Sequence, residues 1–298
     1  MPIKKTFFPK EFIEKYSAFL GAEWPTFFET IKRKQPKSFW VNTNKTTIEK
    51  VKKTLSEKGI KFEQLPFHGQ AFSIEYPQPG SLEEYLCGEI SIQEKASMLP
   101  AIALNPNKED CVFDTCAAPG MKTIQLSNLA GKVLATELHS KRYEDLLAVK
   151  KIFALENVET KRIDFRNIKR NKRFDKILLD APCSSEGLVR KKRDALSSWT
   201  NKLVRQKAAV QKNLIVKAFD YLKENGEMVY STCSFAPEEN EEVVRFLLDK
   251  FSNASVENIE HLLKGIKIRK NELCENCVRL YPQDNDTQQF FLAKIKKN

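Results

Sequence analysis

The sequence predicts a doubly wound α/β domain with a mostly parallel sheet, preceded by a small α+β module. From Asp110 onward, short β-rich runs alternate with segments of helical periodicity, the pattern of a parallel sheet covered by helices on both faces. The chain has 298 residues, 41% of them hydrophobic, and is therefore long enough to bury one large core with a smaller attachment.

The first ninety residues have a different order of elements. Two amphipathic helical stretches begin at Pro9 and Trp24, and strand, helix, strand and strand candidates follow them. This order fits a split β-α-β module. The strand candidates are SFWVNTN, KFEQLPF and AFSIEY, and the helix candidate is TTIEKVKKTLSEKG. We therefore predict a module over residues 1–90 and a larger domain over residues 91–298.

The larger domain has five consecutive strand candidates and a terminal hairpin. The strands are CVFDT, KVLATE, VETKRID, DKILLDA and EMVYSTC, and the helical segments between them include TIQLSNLA, KRYEDLLAVKKIFAL and LVRQKAAVQKNLIVKAFDYLKENG. At the end, VRLYPQDNDTQQFFLAKI has two β-prone runs around a turn-rich PQDND. These runs predict an antiparallel hairpin at the end of the sheet.

Basic charge is concentrated in one region of the chain. The formal net charge is +11, and the segment from Lys161 to Lys217 alone has 17 basic and 5 acidic residues. Such a cluster is often only a solvated face, but clustered lysine and arginine also neutralise phosphates. We predict that Lys191, Lys192 and Arg193 contact a polyanion.

Composition also limits the compartment and the cysteine chemistry. The sequence has no run of eighteen apolar residues, and the segment MPIKKTFFPKEF has no long apolar core, so we expect a soluble, cytoplasmic protein without a membrane partner. Seven cysteines fit a reducing compartment better than a disulfide framework, and we expect Cys183 and Cys233 to be free thiols. The isolated CxxC of Cys274 and Cys277 favours structural cysteines over a metal site, and we expect no metal.

The segment DTCAAPGMKT, residues 114–123, lies where the first strand of the larger domain should turn into a helix. Its small residues allow close approach of the backbone to a ligand, and Pro119 suits the first turn of a helix. An ordinary tight turn is the alternative. Three carboxylates at the ends of the next three strands favour a site instead: Glu137, Asp164 and Asp180.

These positions indicate a nucleoside ligand. An acid at the end of the second strand is placed to accept hydrogen bonds from ribose hydroxyls. The loop has neither G-x-G-x-x-G nor a P-loop, so a pyrophosphate is not the expected ligand. S-adenosylmethionine is a nucleoside without phosphates and fits better.

Three motifs together resemble the Sun-domain, or Fmu-like, RNA (cytosine-5)-methyltransferase family. They are DTCAAPGMKT, FDKILLDAPCSS and YSTCSFAPEENEEVV, and the resemblance is close over Gln93–Ile295. It implies a class I, Rossmann-like methyltransferase fold, an N-terminal RNA-binding module, S-adenosylmethionine as methyl donor and 5-methylcytosine in RNA as product. The resemblance has departures at Met121 in the loop and at Gln288-Gln289, where the family has Asp-Gly.

The resemblance also implies residue roles. Cys233 corresponds to the nucleophile, Cys183 to an accessory residue in product release, and Glu137, Asp164 and Asp180 to cofactor or active-site acids. The cofactor loop comprises Cys116, Ala117, Ala118, Pro119, Gly120, Met121 and Lys122, the last also an active-site residue.

Cytosine chemistry accounts for two thiols at one site. A thiolate that adds to C6 makes C5 nucleophilic, and a carboxyl group near N3, for which Asp180 is the candidate, favours the addition. The C5 proton must then leave, which requires a second acid-base group such as Cys183. Basic neighbours can lower the pKa of such a thiol. DNA cytosine-5 methyltransferases use a cysteine in a Pro-Cys context, so Cys183 is the alternative nucleophile.

The RNA substrate is less specified by the sequence. We expect tRNA first, because a compact enzyme has little surface for a large particle, and rRNA second, with Trp199 as a stacking platform. An RNA-binding assembly factor without turnover is the rival hypothesis. A methyltransferase for DNA or small molecules is disfavoured, and no obligate protein partner is indicated.

Overall fold

The structure, a computed structural model, describes residues 8–168, 171, 173–192 and 194–298. Within these residues it has a four-stranded sheet near the N-terminus and a nine-stranded main sheet. The N-terminal elements are α1 (Lys10–Leu20), α2 (Trp24–Ile31), β1 (Lys37–Val41), α3 (Ile48–Glu57), β2 (Lys61–Gln64), β3 (Ala71–Glu75), α4 (Glu83–Leu86) and β4 (Ile90–Ile92).

The small sheet has the strand order β2-β3-β1-β4, and each neighbouring pair is antiparallel. Because β3 lies between β1 and β2, the β1-α3-β2 unit is the split β-α-β that the sequence predicts. Helix α3 begins after Thr47, whose side chain accepts a hydrogen bond from the Lys50 backbone N–H, and it buries Val51 and Leu55. Strand β4 was not predicted, since three residues are too few for a pattern.

Helices α1 and α2 lie outside the small sheet. Their aromatic side chains form a cluster with residues of the larger domain, among them Val189, Trp199, Phe235 and Tyr281. The two helices therefore contact the segments that follow the fourth and fifth strands of the predicted parallel sheet. The boundary at residue 90 stays a prediction.

The larger part of the chain contains the main sheet. Its elements are α5 (Lys95–Leu104), β5 (Cys111–Asp114), α6 (Met121–Leu129), β6 (Lys132–Glu137), α7 (Ser140–Ile152), β7 (Val158–Arg162), β8 (Phe174–Asp180), α8 (Asn201–Asp220), β9 (Leu222–Thr232), α9 (Glu241–Lys250), β10 (Ala254–Glu257), β11 (Arg269–Asn271), β12 (Cys274–Leu280), α10 (Pro282–Asn285) and β13 (Phe290–Lys297).

The main sheet confirms the predicted doubly wound fold. Strands β7-β6-β5-β8-β9 are parallel neighbours, and β13 pairs antiparallel with β9. Strands β12 and β13 are the predicted hairpin. The short strands β10 and β11, which pair with β13 and β12, were not predicted.

Helix α5 is buried along almost its whole length. From Ala96 to Leu104, every residue except Ser97 is buried, so the helix is apolar on all sides, as expected for a central helix. It contacts β8, β9 and β13 of the main sheet and β1 and β3 of the small sheet. It therefore joins the two sheets.

Two further observations bear on the sequence expectations. Over the described ranges, no helix has the length and apolar character needed to cross a membrane. Cys274 and Cys277 form a disulfide in β12. The expectation that the cysteines are reduced is wrong for this pair. Its Cα atoms lie 5.3 Å apart, within reach of a disulfide, whereas an extended strand would hold residues three apart at about 10 Å, so the chain bends between the two cysteines.

Candidate active site

The predicted acids lie at one edge of the main sheet. Asp114, Glu137 and Asp180 end β5, β6 and β8, and Asp164 follows β7 by two residues. Because these strands are parallel, their carboxyl ends meet at the same edge. In an open α/β sheet this edge is where ligands bind.

The loop between β5 and α6 is fixed against its neighbours. The Ala117 N–H donates to Thr136 O at 2.9 Å, and the Arg142 guanidinium donates to Ala118 O. Gly120 has φ +113°, and a Cβ there would lie 2.9 Å from Val149 Cγ1, so only glycine fits. Met121 is half-buried against the apolar core.

Two acids of this edge have different surroundings. Glu137 is 4% exposed; its carboxylate accepts from the His139 N–H at 2.9 Å and pairs with Arg142 at 3.3 Å. Arg166 donates to both oxygens of Asp164 and holds the pKa of that carboxyl below its usual value. Both acids are therefore ion-paired, but Glu137 is deeply buried whereas Asp164 is partly exposed.

Burial raises the pKa of Asp114 and of Cys116, in contrast to the lowered pKa of Asp164. The Asp114 carboxyl accepts a hydrogen bond from Thr123 Oγ1 at 2.7 Å, but burial raises its pKa to about 7. Burial also raises the pKa of the Cys116 thiol to about 12. Cys116 is therefore a protonated thiol near neutral pH.

The raised pKa of Asp114 predicts a pH dependence of stability. The folded state holds a proton that the unfolded chain releases near pH 4, so this group stabilises the fold below that pH and loses its contribution as pH rises to about 7. We expect the free energy of unfolding of the wild type, measured by urea unfolding, to contain a decline on the order of 2–4 kcal/mol between pH 4 and 7 that comes from Asp114. This part of the decline should be absent in Asp114→Asn. Asp145→Asn, at an exposed position in α7, is the control. Equal pH slopes in the wild type and Asp114→Asn contradict this assignment.

Lys122 and Asp180 form an ion pair at the same edge. Lys122 Nζ lies 2.7 Å from Asp180 Oδ2, and Ser231 Oγ donates to Asp180 Oδ1 at 2.8 Å. Ser231 was not predicted as a site residue. The signal for it is the strand register, since Asp180 pairs with Ser231 across β8 and β9. The carboxylate is thus held from two sides.

The two candidate cysteines are in contact. Cys183 Sγ and Cys233 Sγ are 3.1 Å apart, and both residues are half-buried. The hydrogen bond with Cys183, followed by burial, raises the pKa of Cys233 well above its usual value, although Lys122 opposes this. The expectation that basic neighbours make this thiol acidic is therefore wrong for the free protein. The predicted meeting of the two thiols at one edge is present.

The predicted RNA contacts differ in outcome. Lys191 and Lys192 are exposed, and Arg193 lies outside the described residues. Trp199 is 2% exposed and packs against the rings of Phe12 and Tyr16. The expectation of a stacking platform is therefore wrong, because α1, which is distant in sequence, covers this ring.

Comparison with known proteins agrees with the geometry. A family model described as 16S rRNA methyltransferase RsmB/F matches residues 101–296, and one described as the N-terminal domain of 16S rRNA methyltransferase RsmF matches residues 8–95. Ribosomal RNA small subunit methyltransferase F of Psychromonas ingrahamii is 36% identical over 98% of this chain. The chain spans 64% of the length of that relative.

A second relative matches over nearly its full length. The tRNA (cytosine(49)-C(5))-methyltransferase of Pyrococcus abyssi is 33% identical over 97% of this chain and 96% of its own. The crystal structure of a methyltransferase homologue from Pyrococcus horikoshii has a TM-score of 0.86 at 32% identity, covering 98% of this chain and 96% of its own. NSun6 from the same organism, solved with SFG, shares the fold with a TM-score of 0.88 at 22% identity over 99% of each chain.

The matched residues include the loop of residues 116–122, the Lys122–Asp180 pair and both contacting thiols, and the resemblance of the sequence to Sun-domain proteins is confirmed. The chain belongs to the RsmB/F family of 16S rRNA methyltransferases.

Proposed function

We propose that the protein methylates C5 of a cytosine in structured RNA, with S-adenosylmethionine as methyl donor and Cys233 as the nucleophile that adds to C6. The observation that carries this proposal is the contact of two thiols, 3.1 Å apart, beside the Lys122–Asp180 pair. A nucleophile, a second acid-base group and an oriented carboxyl group are the groups that this reaction requires.

The residues at the carboxyl edge fit S-adenosylmethionine. The loop of residues 116–122 offers backbone without a phosphate-binding glycine pattern, and Glu137 offers a buried carboxylate for ribose hydroxyls. Asp164 and Asp180 lie on either side of these groups along the edge. When bound, S-adenosylmethionine supplies an electrophilic methyl group.

Glu137 provides a test of this cofactor assignment. We expect Glu137→Ala to weaken S-adenosylmethionine binding by about 1–3 kcal/mol, because ribose hydroxyls would lose a buried acceptor. Isothermal calorimetry measures the change. Glu144→Ala, at an exposed position in α7, should leave affinity unchanged. Wild-type affinity in Glu137→Ala removes this acid from the site.

Different side chains of the protein carry out the successive steps on the cytosine base. Cys233 loses its proton and adds to C6, and Asp180, held by Lys122 and Ser231, is the group for the N3 edge of cytosine. After C5 is methylated, its proton must leave and the C6–S bond must break. Cys183, in contact with Cys233, is the acid-base group placed for this last step.

We favour tRNA as the substrate. The relative named for tRNA cytosine 49 matches along 96% of its own length, whereas those named for small-subunit rRNA extend well beyond the matched part. The second candidate is rRNA, supported by the family description. The base must be unpaired or flipped to reach Cys233.

The exposed lysines before Arg193 are the proposed phosphate contacts. We expect Lys191→Ala combined with Lys192→Ala to weaken RNA binding regardless of sequence and to lower the salt dependence by about one unit for each phosphate that is no longer neutralised. Filter binding at several salt concentrations measures this. The matched control replaces Lys132 and Lys250, which are exposed near the opposite edge of the main sheet. An unchanged salt dependence would show that Lys191 and Lys192 do not contact phosphates and belong to an ordinary solvated face.

Bisulfite sequencing tests the proposed function. Purified protein is incubated with S-adenosylmethionine and unmodified tRNA, or with 16S rRNA, and each RNA is sequenced. A protected cytosine in tRNA supports the proposal, and protection in rRNA alone reassigns the substrate. RNA binding without protection in either RNA supports the rival, a binding factor without turnover.

A further inference from the structure

Glu239 is a buried carboxylate that contacts both cysteine-bearing segments. It lies in the turn between β9 and α9 and has no exposed surface. Its Oε2 accepts from the backbone N–H of Ser184, the residue after Cys183, at 3.0 Å. Its Oε1 accepts from Oγ of Ser234, the residue after Cys233, at 2.8 Å. One carboxylate therefore connects the residues that directly follow the two thiols.

Further contacts complete this connection. Gln211 of α8 donates through Nε2 to Glu239 Oε2 at 2.8 Å and to Pro182 O at 3.0 Å. The carbonyl before Cys183 and the N–H after it are thus both held from this side. The hydroxyls of Ser184 and Ser234 lie 3.2 Å apart. The segment around Cys183 has little freedom to move away from Cys233.

A second, independent contact joins the segments at Gly187. Its N–H donates to Cys233 O at 2.8 Å, and a Cβ there would lie 2.7 Å from that oxygen. This contact does not involve Glu239. Loss of Glu239 is therefore expected to loosen the thiol pair without separating the two segments.

We propose that Glu239 is a positioning residue that holds Cys183 at the distance from Cys233 needed to release the methylated base. The catalytic part of this inference rests on the proposed function, whereas the geometric part does not. The chemistry of the carboxylate supports it, because an ionised carboxylate has acceptor sites for all three donors that face it. Without it, the Ser184 N–H and the Gln211 amide would be buried without this acceptor.

Glutamine and alanine at position 239 should behave differently. A glutamine can accept from Ser184 and Gln211 with its carbonyl oxygen and donate to Ser234 with its amide, so Glu239→Gln keeps the connection. Glu239→Ala removes it. Ser234→Ala keeps the Glu239 carboxylate and its bonds to Ser184 and Gln211, and gives a milder variant should Glu239→Ala fail to fold. It removes the hydroxyl that donates to Oε1, together with that hydroxyl's contacts to Ser184, Glu186 and the Ala236 N–H.

The thiol distance is measured without RNA by oxidation with diamide. Each thiol gives up a proton and the two sulfurs form one S–S bond, while the azo group of diamide takes up two electrons and two protons. Mass spectrometry of the Cys183–Cys233 linked peptide gives the rate. We expect Glu239→Ala to slow this rate about tenfold or more and Glu239→Gln to stay within about twofold of the wild type. Glu84→Ala removes a buried acid of α4 and is the control for general destabilisation.

Methylation of RNA by the same variants tests the catalytic part. We expect Glu239→Ala to lower kcat with little change in KM for RNA and to accumulate a protein–RNA adduct on a denaturing gel, and Glu239→Gln to restore turnover. A slower diamide rate with an inactive wild type would overturn the proposed function and leave the geometric assignment standing. Wild-type diamide rates in both folded Glu239→Ala and Ser234→Ala would overturn the positioning role.

Discussion

Replacing Cys233 with alanine is expected to abolish methylation and every covalent protein–RNA adduct. Cys183 Sγ lies 3.1 Å from Cys233 Sγ, but the resemblance to the Sun-domain family gives the role of nucleophile to Cys233, whose thiol also lies in the electrostatic field of Lys122 and Asp180. Without a nucleophile at C6, C5 stays too poor in electrons to react, so we expect the rate to fall by at least about a thousandfold. Transfer of labelled methyl groups to RNA measures the loss.

The control for this variant is Cys87→Ala, which removes an exposed thiol outside the carboxyl edge. It should methylate RNA at the wild-type rate. S-adenosylmethionine affinity should also be unchanged in Cys233→Ala, which separates a lost nucleophile from a damaged cofactor site. Residual turnover near the wild-type level in Cys233→Ala would show that its thiol does not attack the base.

The raised pKa of Cys233 affects how attack begins. Its thiol is protonated in the free protein, mainly because it shares a hydrogen bond with Cys183 and because it is buried. Lys122 is the neighbouring cation that favours the thiolate, and its Nζ lies 2.7 Å from Asp180 Oδ2. If the proposed function is correct, a base that engages Asp180 leaves Lys122 freer to stabilise the thiolate, and we therefore expect binding of cytosine to promote activation of the thiol.

The five parallel strands could be predicted because each depends on a local pattern. They were visible as β-rich runs between helices, and the meeting of the acids at their ends follows from parallel order. Strands β10 and β11 were missed because each has four residues or fewer, and β10 also pairs with β13, which is distant in sequence. Their existence depends on β12 and β13 rather than on their own residues.

The residues of the candidate site also divide into those that the sequence predicted and those that it did not. Cys183, Cys233 and Asp180 were predicted from their motifs. Ser231 and Glu239 lie in the same motif as Cys233, but they were missed because a motif does not show that their side chains contact Asp180 and the segment of Ser184. Trp199 was misassigned for the related reason that α1, a helix from the other end of the chain, covers it. Its indole N–H donates to the buried Glu186, which also accepts from Tyr16. The sequence around Trp199 is polar and therefore did not indicate that this ring belongs to a buried aromatic cluster.

Replacing Cys183 with alanine should have the opposite signature from Cys233→Ala. Attack and methyl transfer proceed, because Cys233, Lys122 and Asp180 are intact, but removal of the C5 proton and expulsion of the thiolate lack their nearest acid-base group. We expect RNA to remain bound to Cys233, visible as a slowly migrating band on a denaturing gel, with one methyl group per adduct and multiple turnover lost. The pKa of Cys233 should also fall, because the hydrogen bond that does most to raise it is gone.

Cys183→Ser tests whether the second group must be a thiol. A serine hydroxyl keeps a hydrogen-bond partner at the same place but is a far weaker acid than a thiol, so release of the adduct should stay slow in Cys183→Ser. The alanine and serine variants should still differ in the pH dependence of Cys233 alkylation by iodoacetamide, because only the serine variant keeps a hydrogen bond to Cys233. Adduct accumulation in Cys233→Ala and none in Cys183→Ala would reverse the two roles and make the Pro-Cys thiol the nucleophile. If neither variant forms an adduct and both still methylate RNA, the contact between the two thiols has no part in the reaction, and covalent catalysis through either of them is wrong.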